Sequence, residues 1–217
     1  MLIEARKNSA LETIYSAYAR RLIRRQFSSL QISGSPFPAT ERVVIAYMNH
    51  SAWWDAVIPV HLSHDLFRRE IHALMEGEQL KKYPFFRHLG CFGPTENSIT
   101  DARAVVDHAT QVLLNAKQPA VFWIFPQGAI LPSHVPMEFK SGLSRIAERL
   151  PEAVIVPVAI RYPFLKNKKP DCRVKIGEPV ARTGEVHSQF TRRLEQRLEG
   201  EITALDTEIA QELAPQP

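Results

Sequence analysis

Short apolar runs alternate with amphipathic stretches along this chain. Runs rich in β-branched and aromatic residues predict buried strands at residues 43–48, 71–75, 120–125, 153–160 and 172–176. Between them, apolar residues recur at helical spacing, which predicts helices over residues 9–30, 101–116, 139–150 and from about 185 onward. This alternation predicts an α/β fold: a central mixed, largely parallel sheet flanked by helices, with an N-terminal amphipathic helix.

Other segments give less definite predictions. A short helix, a helix start or loop, and a turn or short strand are predicted, in that order, at residues 56–62, 76–82 and 89–94. Pro157 removes a ladder donor from its strand, so that strand is expected at a sheet edge or with a bulge. Ser98 or Thr100 is expected to cap the helix that follows it.

The first amphipathic stretch, residues 9–30, combines aliphatic and aromatic side chains with four arginines in its second half: Arg20, Arg21, Arg24 and Arg25. Such a helix suits a membrane interface, and it equally suits docking on the core with a basic side exposed. Residues 33–38, rich in serine, glycine and proline, are predicted as a linker turn. Two units are therefore expected: residues 1–34 as a membrane-interface helix and residues 35–217 as an α/β domain.

Composition narrows the location and the partners. The chain has 217 residues, 45% of them hydrophobic, and no stretch approaches the ~18 consecutive apolar residues of a membrane-spanning helix. The N-terminal residues lack the apolar core of a secretory signal, so a cytoplasmic protein is expected, peripheral on the inner face of the membrane. The net charge of +4 fits an anionic partner such as a membrane surface, a phosphate-bearing cofactor or nucleic acid. Cys91 and Cys172 lack metal-like spacing and are expected as free thiols.

The polar residues after the run at 43–48 are the strongest candidates for chemistry. Asn49 and His50 stand at the end of this predicted strand, where sites on open α/β sheets lie, and Asp55 comes five positions after His50. Five is not a same-face helical spacing, so a turn or helix start is expected between them. Asp55 is then placed to hold one ring nitrogen of His50 while the other takes a proton, as in acyl transfer. An ordinary satisfied His–Asp pair is the alternative.

Two further segments carry candidate binding groups. Phe125-Pro126-Gln127-Gly128 follows another predicted strand, where Gly128 permits close approach of the backbone to a ligand and Gln127 offers an amide. Phe139-Lys140-Ser141-Gly142 opens a predicted helix, where Lys140 could meet an anionic group. The alternatives are a plain turn at Gly128 and a solvated surface lysine at Lys140.

Two tryptophans, Trp53 and Trp54, lie between His50 and Asp55. They are expected either to fill the core or to line an acyl channel together with Phe85 and Phe86. Core packing is the more frequent fate of buried aromatic residues, and a channel needs only one of the pair.

In their order along the chain, these segments resemble the glycerolipid acyltransferase family, which includes the lysophosphatidic acid acyltransferases. The resemblance rests on Asn49-His50 followed by four residues and then Asp55, and on residues 125–128, 139–142 and 156–160. Together the blocks cover residues 43–162. The resemblance implies an O-acyltransferase like the 1-acylglycerol-3-phosphate acyltransferases, which moves a fatty acyl group from a thioester of coenzyme A or acyl carrier protein to a hydroxyl.

The same resemblance implies roles for individual residues. His50 matches the general base and Asp55 the residue that orients it. Substrate contacts are expected from the residues around them: Asn49, Trp53, Trp54, Arg87, Phe125, Pro126, Gln127, Gly128, Lys140 and Gly142. Gln127 and Gly128 are candidate donors to the oxyanion of the tetrahedral intermediate. No metal and no bound cofactor are expected, only the acyl thioester as co-substrate, with a lipid acceptor, a membrane surface and acyl carrier protein as candidate partners.

The chain departs from the family pattern at positions that bear on the acceptor. Gln127 stands where the family has Glu, Ala129 and Ile130 stand where it has Thr and Arg, and residues 90–95 lack the Arg of the second family block. In the family those arginines are associated with the phosphate of the acceptor, and guanidinium groups recognise phosphate through paired hydrogen bonds. The acceptor is therefore expected to be either a lysophospholipid or a non-phosphate lipid such as a glycolipid or a carotenoid glycoside. A phosphate contact by another route would use one of three residues: Arg87, Lys140 or Arg161.

Two other functions fit parts of the sequence. A non-catalytic membrane or lipid-binding protein would act through the N-terminal helix and would not need His50. A metal hydrolase would use four ligands whose spacing matches no metal motif: His50, Asp55, His61 and His64. Nucleic-acid binding is not expected, because the arginines lie on a helix rich in aromatic residues and no nucleic-acid motif is present.

Overall fold

The computed structural model describes residues 1–95 and 99–213, and within them eight strands form one sheet. The strands are β1 (Leu2–Ile3), β2 (Leu30–Gly34), β3 (Val43–Met48), β4 (Glu70–Leu74), β5 (Cys91–Pro94), β6 (Ala120–Ile124), β7 (Val154–Arg161) and β8 (Cys172–Ile176). Their order across the sheet is β1-β5-β4-β6-β3-β7-β8-β2. Neighbours are parallel except at β1–β5 and β7–β8. The predicted α/β fold with a mixed, largely parallel sheet is confirmed.

Helices connect and cover the strands: α1 (Ser9–Gln26), α2 (Ile58–His61), α3 (Gly77–Lys82), α4 (Ile99–Leu114), α5 (Gly142–Arg149) and α6 (His187–Leu213). Tighter 3-10 turns occupy Trp53–Ala56 and Pro84–Leu89, and wider π-helical turns continue α2 through Leu62–Phe67. The side chain of Asn8 caps α1 by accepting the N–H groups of Ala10 and Leu11, both at 3.1 Å. Helix α6 buries one apolar stripe, as its spacing predicts: Phe190, Leu194, Leu198, Ile202, Leu205 and Ile209.

The core consists of two layers, one on each face of the sheet. Alternate residues of β3 belong to different layers, because successive side chains of a strand point to opposite faces. Ile45 and Tyr47 pack with α4, α5 and α6, whereas Val44, Ala46 and Met48 pack with α1 and α2. The residues that follow β3 therefore leave the sheet between its two packed layers. They do so at the end of the sheet where the parallel strands β6 and β7 also finish.

The first helix ends earlier than the sequence predicts. Phe27 has an extended backbone, and Ser28 donates its N–H to the carbonyl of Pro170 at 2.9 Å, so the chain turns away after Gln26. Residues 30–34, expected as the helix end and the start of a linker, instead form the edge strand β2, which pairs in parallel with β8. The segment 1–34, expected as a separate helical unit, thus contributes strands to both edges of the sheet.

The prediction that Pro157 places its strand at a sheet edge or in a bulge is wrong, because β7 pairs with β3 residue for residue through Pro157. Strand β7 lies inside the sheet, between β3 and β8. The carbonyl of Pro157 accepts the N–H of Gly177 at 2.9 Å. The backbone N and C=O of Pro157 therefore point to the β8 side of the strand, at the level of the residue just after Ile176, where β8 ends. The missing N–H of Pro157 therefore falls where the ladder with β8 has already ended, and the ladder with β3 is intact.

Smaller predictions have mixed outcomes. The helix expected over residues 139–150 is shorter, Gly142–Arg149, and Ser98, one expected cap for α4, lies outside the described residues. Thr100, the other expected cap, is the second residue of α4 itself. Cys91 and Cys172 are free and buried, and burial raises the pKa of the Cys91 thiol to about 12. Among the helices of the described residues, none is long and apolar enough to cross a membrane.

Candidate active site

His50 and Asp55 form a hydrogen-bonded pair at the carboxyl end of β3. His50 Nδ1 lies 2.8 Å from Asp55 Oδ2, and the same oxygen accepts the N–H groups of Ser51 at 2.7 Å and Ala52 at 2.9 Å. The Asp55 side chain is fully buried at the start of the 3-10 turn Trp53–Ala56. The turn expected from the spacing of five thus closes around the carboxylate, which satisfies its backbone donors.

This pairing fixes the roles of the two ring nitrogens of His50. Because an ionised carboxylate only accepts hydrogen bonds, the hydrogen bond of this pair is donated by the Nδ1–H group of His50. Nε2 is then the ring nitrogen with a free lone pair. The imidazole keeps a fifth of its side-chain surface exposed, whereas its partner has none. The geometry therefore holds the imidazole through Nδ1 and leaves Nε2 without a contact to Asp55.

Tyr162 completes the surroundings of Asp55. Its hydroxyl donates to Asp55 Oδ1 at 2.6 Å, so both carboxylate oxygens are hydrogen-bonded. Burial, and then the charge of Asp55, raise the pKa of Tyr162 well above its ordinary value near 10, which keeps the hydroxyl protonated. Sequence reasoning missed this residue; its position just after β7, a neighbour of β3, was the signal that could have found it.

Asn49 supports the site from within the sheet. Its side-chain amide donates to the carbonyl of Ile160 at 3.1 Å and accepts the N–H of Ile160 at 2.8 Å. The amide is buried, and this pair of bonds ties the end of β3 to β7. The amide of Asn49 thus fixes the backbone that carries His50; the residue also lines the cavity beside His50, and its expected contact with substrate stays a prediction.

The segment after β6 lies directly beside His50. Gln127 Oε1 accepts the backbone N–H of His50 at 2.6 Å, and the ring of Phe125 stacks on the imidazole with centroids 4.3 Å apart. The carbonyl of Pro126 accepts the N–H of Lys140 at 2.9 Å. The contacts of His50 with Gln127 and Phe125 bring together two segments that are distant in sequence, since His50 and Gln127 are 77 positions apart. Because the amide oxygen is taken by His50, the Gln127 NH₂ group is left as a donor.

Gly128 forms a turn with a positive φ of 69°. A Cβ atom there would come within 2.6 Å of Lys140 Nζ, so the lysine side chain lies across this glycine. The N–H of Gly128 donates to the carbonyl of Phe125 at 3.0 Å, which removes it from the candidate donors to an oxyanion. Gly142 begins α5, next to Lys140, and its backbone has open space around it.

A cavity of about 430 Å³, the His50 cavity, opens beside the imidazole. The loop of residues 131–137 covers one side and is tied to the site by the N–H of Leu131, which donates to the carbonyl of His50 at 2.9 Å. The other side is polar: Arg161 pairs with Asp206 of α6 through bonds of 2.8 and 2.9 Å, next to Glu199 and Thr203. Sequence reasoning missed the α6 residues, because nothing local connects residues 199–206 with residue 50.

Three residues that are expected to contact substrate do not line the His50 cavity. The side chain of Trp53 is 54% exposed, and Trp54 packs edge-to-face on Phe27 with centroids 5.0 Å apart. Arg87 donates through Nε to the carbonyl of Glu4 at 2.9 Å and does not line the His50 cavity. Trp54 therefore serves the core, and Arg87 anchors the N-terminal segment.

The four ligands of a hypothetical metal site are not brought together. His61 and His64 contact Asp65, with Nδ1 at 2.6 and 3.2 Å from its carboxylate oxygens, and neither contacts Asp55. Within the described ranges 1–95 and 99–213, no three His, Cys, Asp or Glu side chains are placed to hold a metal ion.

The fold resembles that of a known acyltransferase. The crystal structure of the 1-acyl-sn-glycerophosphate (LPA) acyltransferase PlsC from Thermotoga maritima is similar, with a TM-score of 0.64 and 18% sequence identity over 89% of this chain and 79% of that chain. No curated protein sequence matches. A family model for acyltransferases matches residues 29–161, a span that contains His50, Asp55 and Gln127. Because this match covers more than half of the chain, the chain belongs to the acyltransferase family.

Proposed function

We propose that this protein moves a fatty acyl group from a thioester of coenzyme A or acyl carrier protein to the hydroxyl of a lipid-like acceptor. The observation that carries the proposal is the imidazole of His50, held through Nδ1 by buried Asp55 and bordering a cavity through its other edge. A neutral histidine with an ordinary pKa of ~6.5 suits removal of a proton from an alcohol near neutral pH.

In the proposed reaction, the acceptor hydroxyl loses its proton to His50 Nε2 as its oxygen attacks the thioester carbonyl. The carbon–oxygen bond forms, and the carbonyl oxygen takes up the negative charge of a tetrahedral intermediate. The carbon–sulfur bond then breaks, and the proton on Nε2 passes to the leaving thiolate. Asp55 stabilises the imidazolium that exists between these two proton transfers, because its carboxylate is fixed against Nδ1.

Gln127 is the proposed side-chain donor in this reaction. Its NH₂ group is left over after Oε1 accepts the N–H of His50, and the residue lines the same cavity. A donor beside the base is placed to stabilise either the developing oxyanion or the acceptor oxygen. The Glu that the family has at this position could accept from His50 but could not donate.

The charges of the His50 cavity favour a non-phosphate acceptor, such as a glycolipid or a carotenoid glycoside, over a lysophospholipid. Two carboxylates, Glu199 and Asp206, line it together with Arg161. The Arg161 guanidinium is already paired with Asp206, so it is not free for paired contacts to a phosphate. Serine, threonine and amide side chains on the same walls suit hydroxyl groups: Ser51, Ser133, Thr203 and Gln127.

Peripheral binding to the cytoplasmic face of a membrane is proposed to occur through the outer side of α1. Leu11, Ile14 and Tyr18 are exposed there at helical spacing. The exposed ring of Phe85 lies beside the same helix, in contact with the ring of Tyr15. Arg21 and Arg25 are exposed on the same helix. An apolar stripe with flanking cations matches the interface of an anionic bilayer.

The test is thiol release from a panel of acyl-coenzyme A and acyl-carrier-protein donors, with lysophosphatidic acid, a monoacylglycerol and a glycolipid as acceptors. Acceptor-dependent release is expected, strongest with the glycolipid, and His50→Ala should abolish it. His187→Ala is the matched control, because His187 pairs with Glu148 and does not line the His50 cavity.

Two results would contradict the proposal. Strong selectivity for lysophosphatidic acid would remove the non-phosphate acceptor. No release with any donor, from folded protein that still binds lipid vesicles, would favour the non-catalytic lipid-binding function instead.

A further inference from the structure

A second and larger cavity lies on the opposite face of the sheet from α6. This α1 cavity encloses about 560 Å³ between the C-terminal half of α1 and the helical turns that carry His61 and Asp65. Ile23, Phe27 and Leu30 form its apolar wall, and Arg20 and Arg24 stand at its polar side. Its volume falls in the range of small-molecule sites.

The charges of the α1 cavity leave cationic groups available. Partial burial acts to raise the pKa of Asp65, but hydrogen bonds from Arg20, His64 and His61 outweigh it and lower that pKa, so Asp65 is ionised and satisfied. Arg20 uses Nε and Nη2 on Asp65, which leaves Nη1. Arg24 has no hydrogen bond or ion pair with any described residue.

More positive charge borders the mouth of the cavity. Ser28, a lining residue, donates through Oγ to the carbonyl of Lys169 at 3.0 Å and through N–H to that of Pro170. The loop that contains Lys166, Lys168 and Lys169 therefore lies against this rim. A ligand with negative charge is complementary to such surroundings.

The direction of the cavity argues for a ligand from solution. Ile14, exposed on the proposed bilayer side of α1, and Ile23, buried in the cavity wall, are nine residues apart. Nine residues make about two and a half turns of an α-helix, so the two side chains leave the helix on opposite sides. The α1 cavity thus faces away from the surface that would rest on lipid.

The α1 cavity also lies near the end of the sheet that carries His50. Phe27 stacks on Tyr162 with centroids 5.5 Å apart, and Tyr162 donates to Asp55. Strand β2 runs antiparallel to β3, so Leu30, at the start of β2, lies at the same end of the sheet as His50, which follows β3. The two strands are three positions apart in the sheet, roughly 14 Å at ordinary strand spacing. A ligand held here needs a long flexible arm to reach His50.

We propose that the α1 cavity binds the phosphorylated nucleotide end of a coenzyme A thioester, the acyl donor; this inference rests on the proposed function. Arg20 and Arg24 contact the phosphates, and Ile23, Phe27 and Leu30 support the base. The pantetheine arm then runs across the ends of the strands to reach His50. Donor and acceptor occupy cavities on opposite faces, and the reacting atoms meet between them.

The binding test uses adenosine 3′,5′-bisphosphate, which has the nucleotide end of coenzyme A and no thiol. Calorimetric titration should show binding to the wild-type protein, weakened about tenfold by Arg24→Gln through loss of a charge-assisted hydrogen bond. Arg21→Gln is the matched control: Arg21 is exposed on the same helix but does not line the cavity, so its removal should leave the affinity for the bisphosphate unchanged. The His50→Ala variant should bind the bisphosphate like the wild type, although it is expected to have lost acyl transfer.

A kinetic test addresses the choice of donor. Arg24→Gln should raise KM for acyl-coenzyme A about tenfold at unchanged kcat and leave KM for acyl carrier protein unaltered. Several results would overturn the proposal: no bisphosphate binding, equal losses in both arginine variants, or equal affinity for inorganic phosphate. Binding of phosphatidylglycerol vesicles that needs Arg24 but not Arg21 would also overturn it, by making the site a headgroup site. Because binding is read without turnover, failure of the acyl transfer itself is a separate result.

Discussion

At the scale of residues, the Asp55 carboxylate is the most constrained group of the site. Three donors reach Oδ2, from His50, Ser51 and Ala52, and Tyr162 reaches Oδ1. The first three lie within five positions of Asp55, which is why the sequence predicts the pair. Tyr162 lies 107 positions away, and only the pairing of β3 with β7 places it there. Local chemistry was therefore predictable, and its long-range support was not.

Gln127→Glu tests the donor at the scale of a single atom. The carboxylate can still accept the N–H of His50, so the fold should keep its melting temperature, whereas the NH₂ donor is lost. We expect kcat/KM to fall about a hundredfold, the usual effect of removing one preorganised donor to an oxyanion. Steady-state thiol release measures it, and Gln111→Glu on the exposed side of α4 controls for the added charge. Unchanged kcat/KM would leave Gln127 with only the loop-holding role.

At the scale of elements, periodicity predicted which segments are helices and strands far better than how they are arranged. Strands β3, β6 and β7 lie close to their predicted residues, because their apolar runs are buried on both faces. The edge strand β2 was missed because it is half-exposed and follows directly on a helix of similar composition. The position of β7 was wrong because the effect of Pro157 depends on where its partner β8 ends.

Helix α1 carries a prediction of its own. Ile14→Glu places a charge in the middle of its exposed apolar stripe and should lower partitioning onto phosphatidylglycerol vesicles at least about tenfold, since burying one isoleucine contributes roughly 1.5–3 kcal/mol. Gln111→Glu adds the same charge to an exposed position of α4, which packs on the opposite face of the sheet from α1, and should change partitioning little. Sedimentation with vesicles measures both. Equal losses would mean that net charge, and not the stripe, governs binding.

At the scale of the whole molecule, acid should destabilise the fold through β4. Burial, aided by Lys7, lowers the pKa of His72 to about 4, against the opposing effect of Glu70. A depressed histidine pKa means that the folded state favours the neutral ring. The stabilisation is complete above the ordinary pKa of 6.5 and is lost as pH falls towards 4. Burial acts to raise the pKa of Glu70, but Lys7 and then His72 together outweigh it and lower that pKa, so Glu70 adds to the loss at still lower pH.

Urea unfolding between about pH 7 and pH 4.5 measures this effect. The wild type should lose on the order of 2 kcal/mol of unfolding free energy over that range. His72→Gln, which cannot take up the proton, should show a shallower dependence, whatever its stability at neutral pH. His187→Gln, at a partly exposed position, should follow the wild type. Parallel curves for wild type and His72→Gln would contradict the assignment.

Helix α1 is fastened at both ends to the rest of the fold. Just before it, Asn8 donates its N–H to the carbonyl of His88; just after it, Ser28 donates to the carbonyl of Pro170 and the chain enters β2. A helix mounted in this way cannot tilt or lift on its own. In the proposed arrangement with α1 on lipid, the fold would therefore set the height of His50 above the bilayer. Acceptors would then be selected by how far their hydroxyl stands out of the membrane while their chains stay in it.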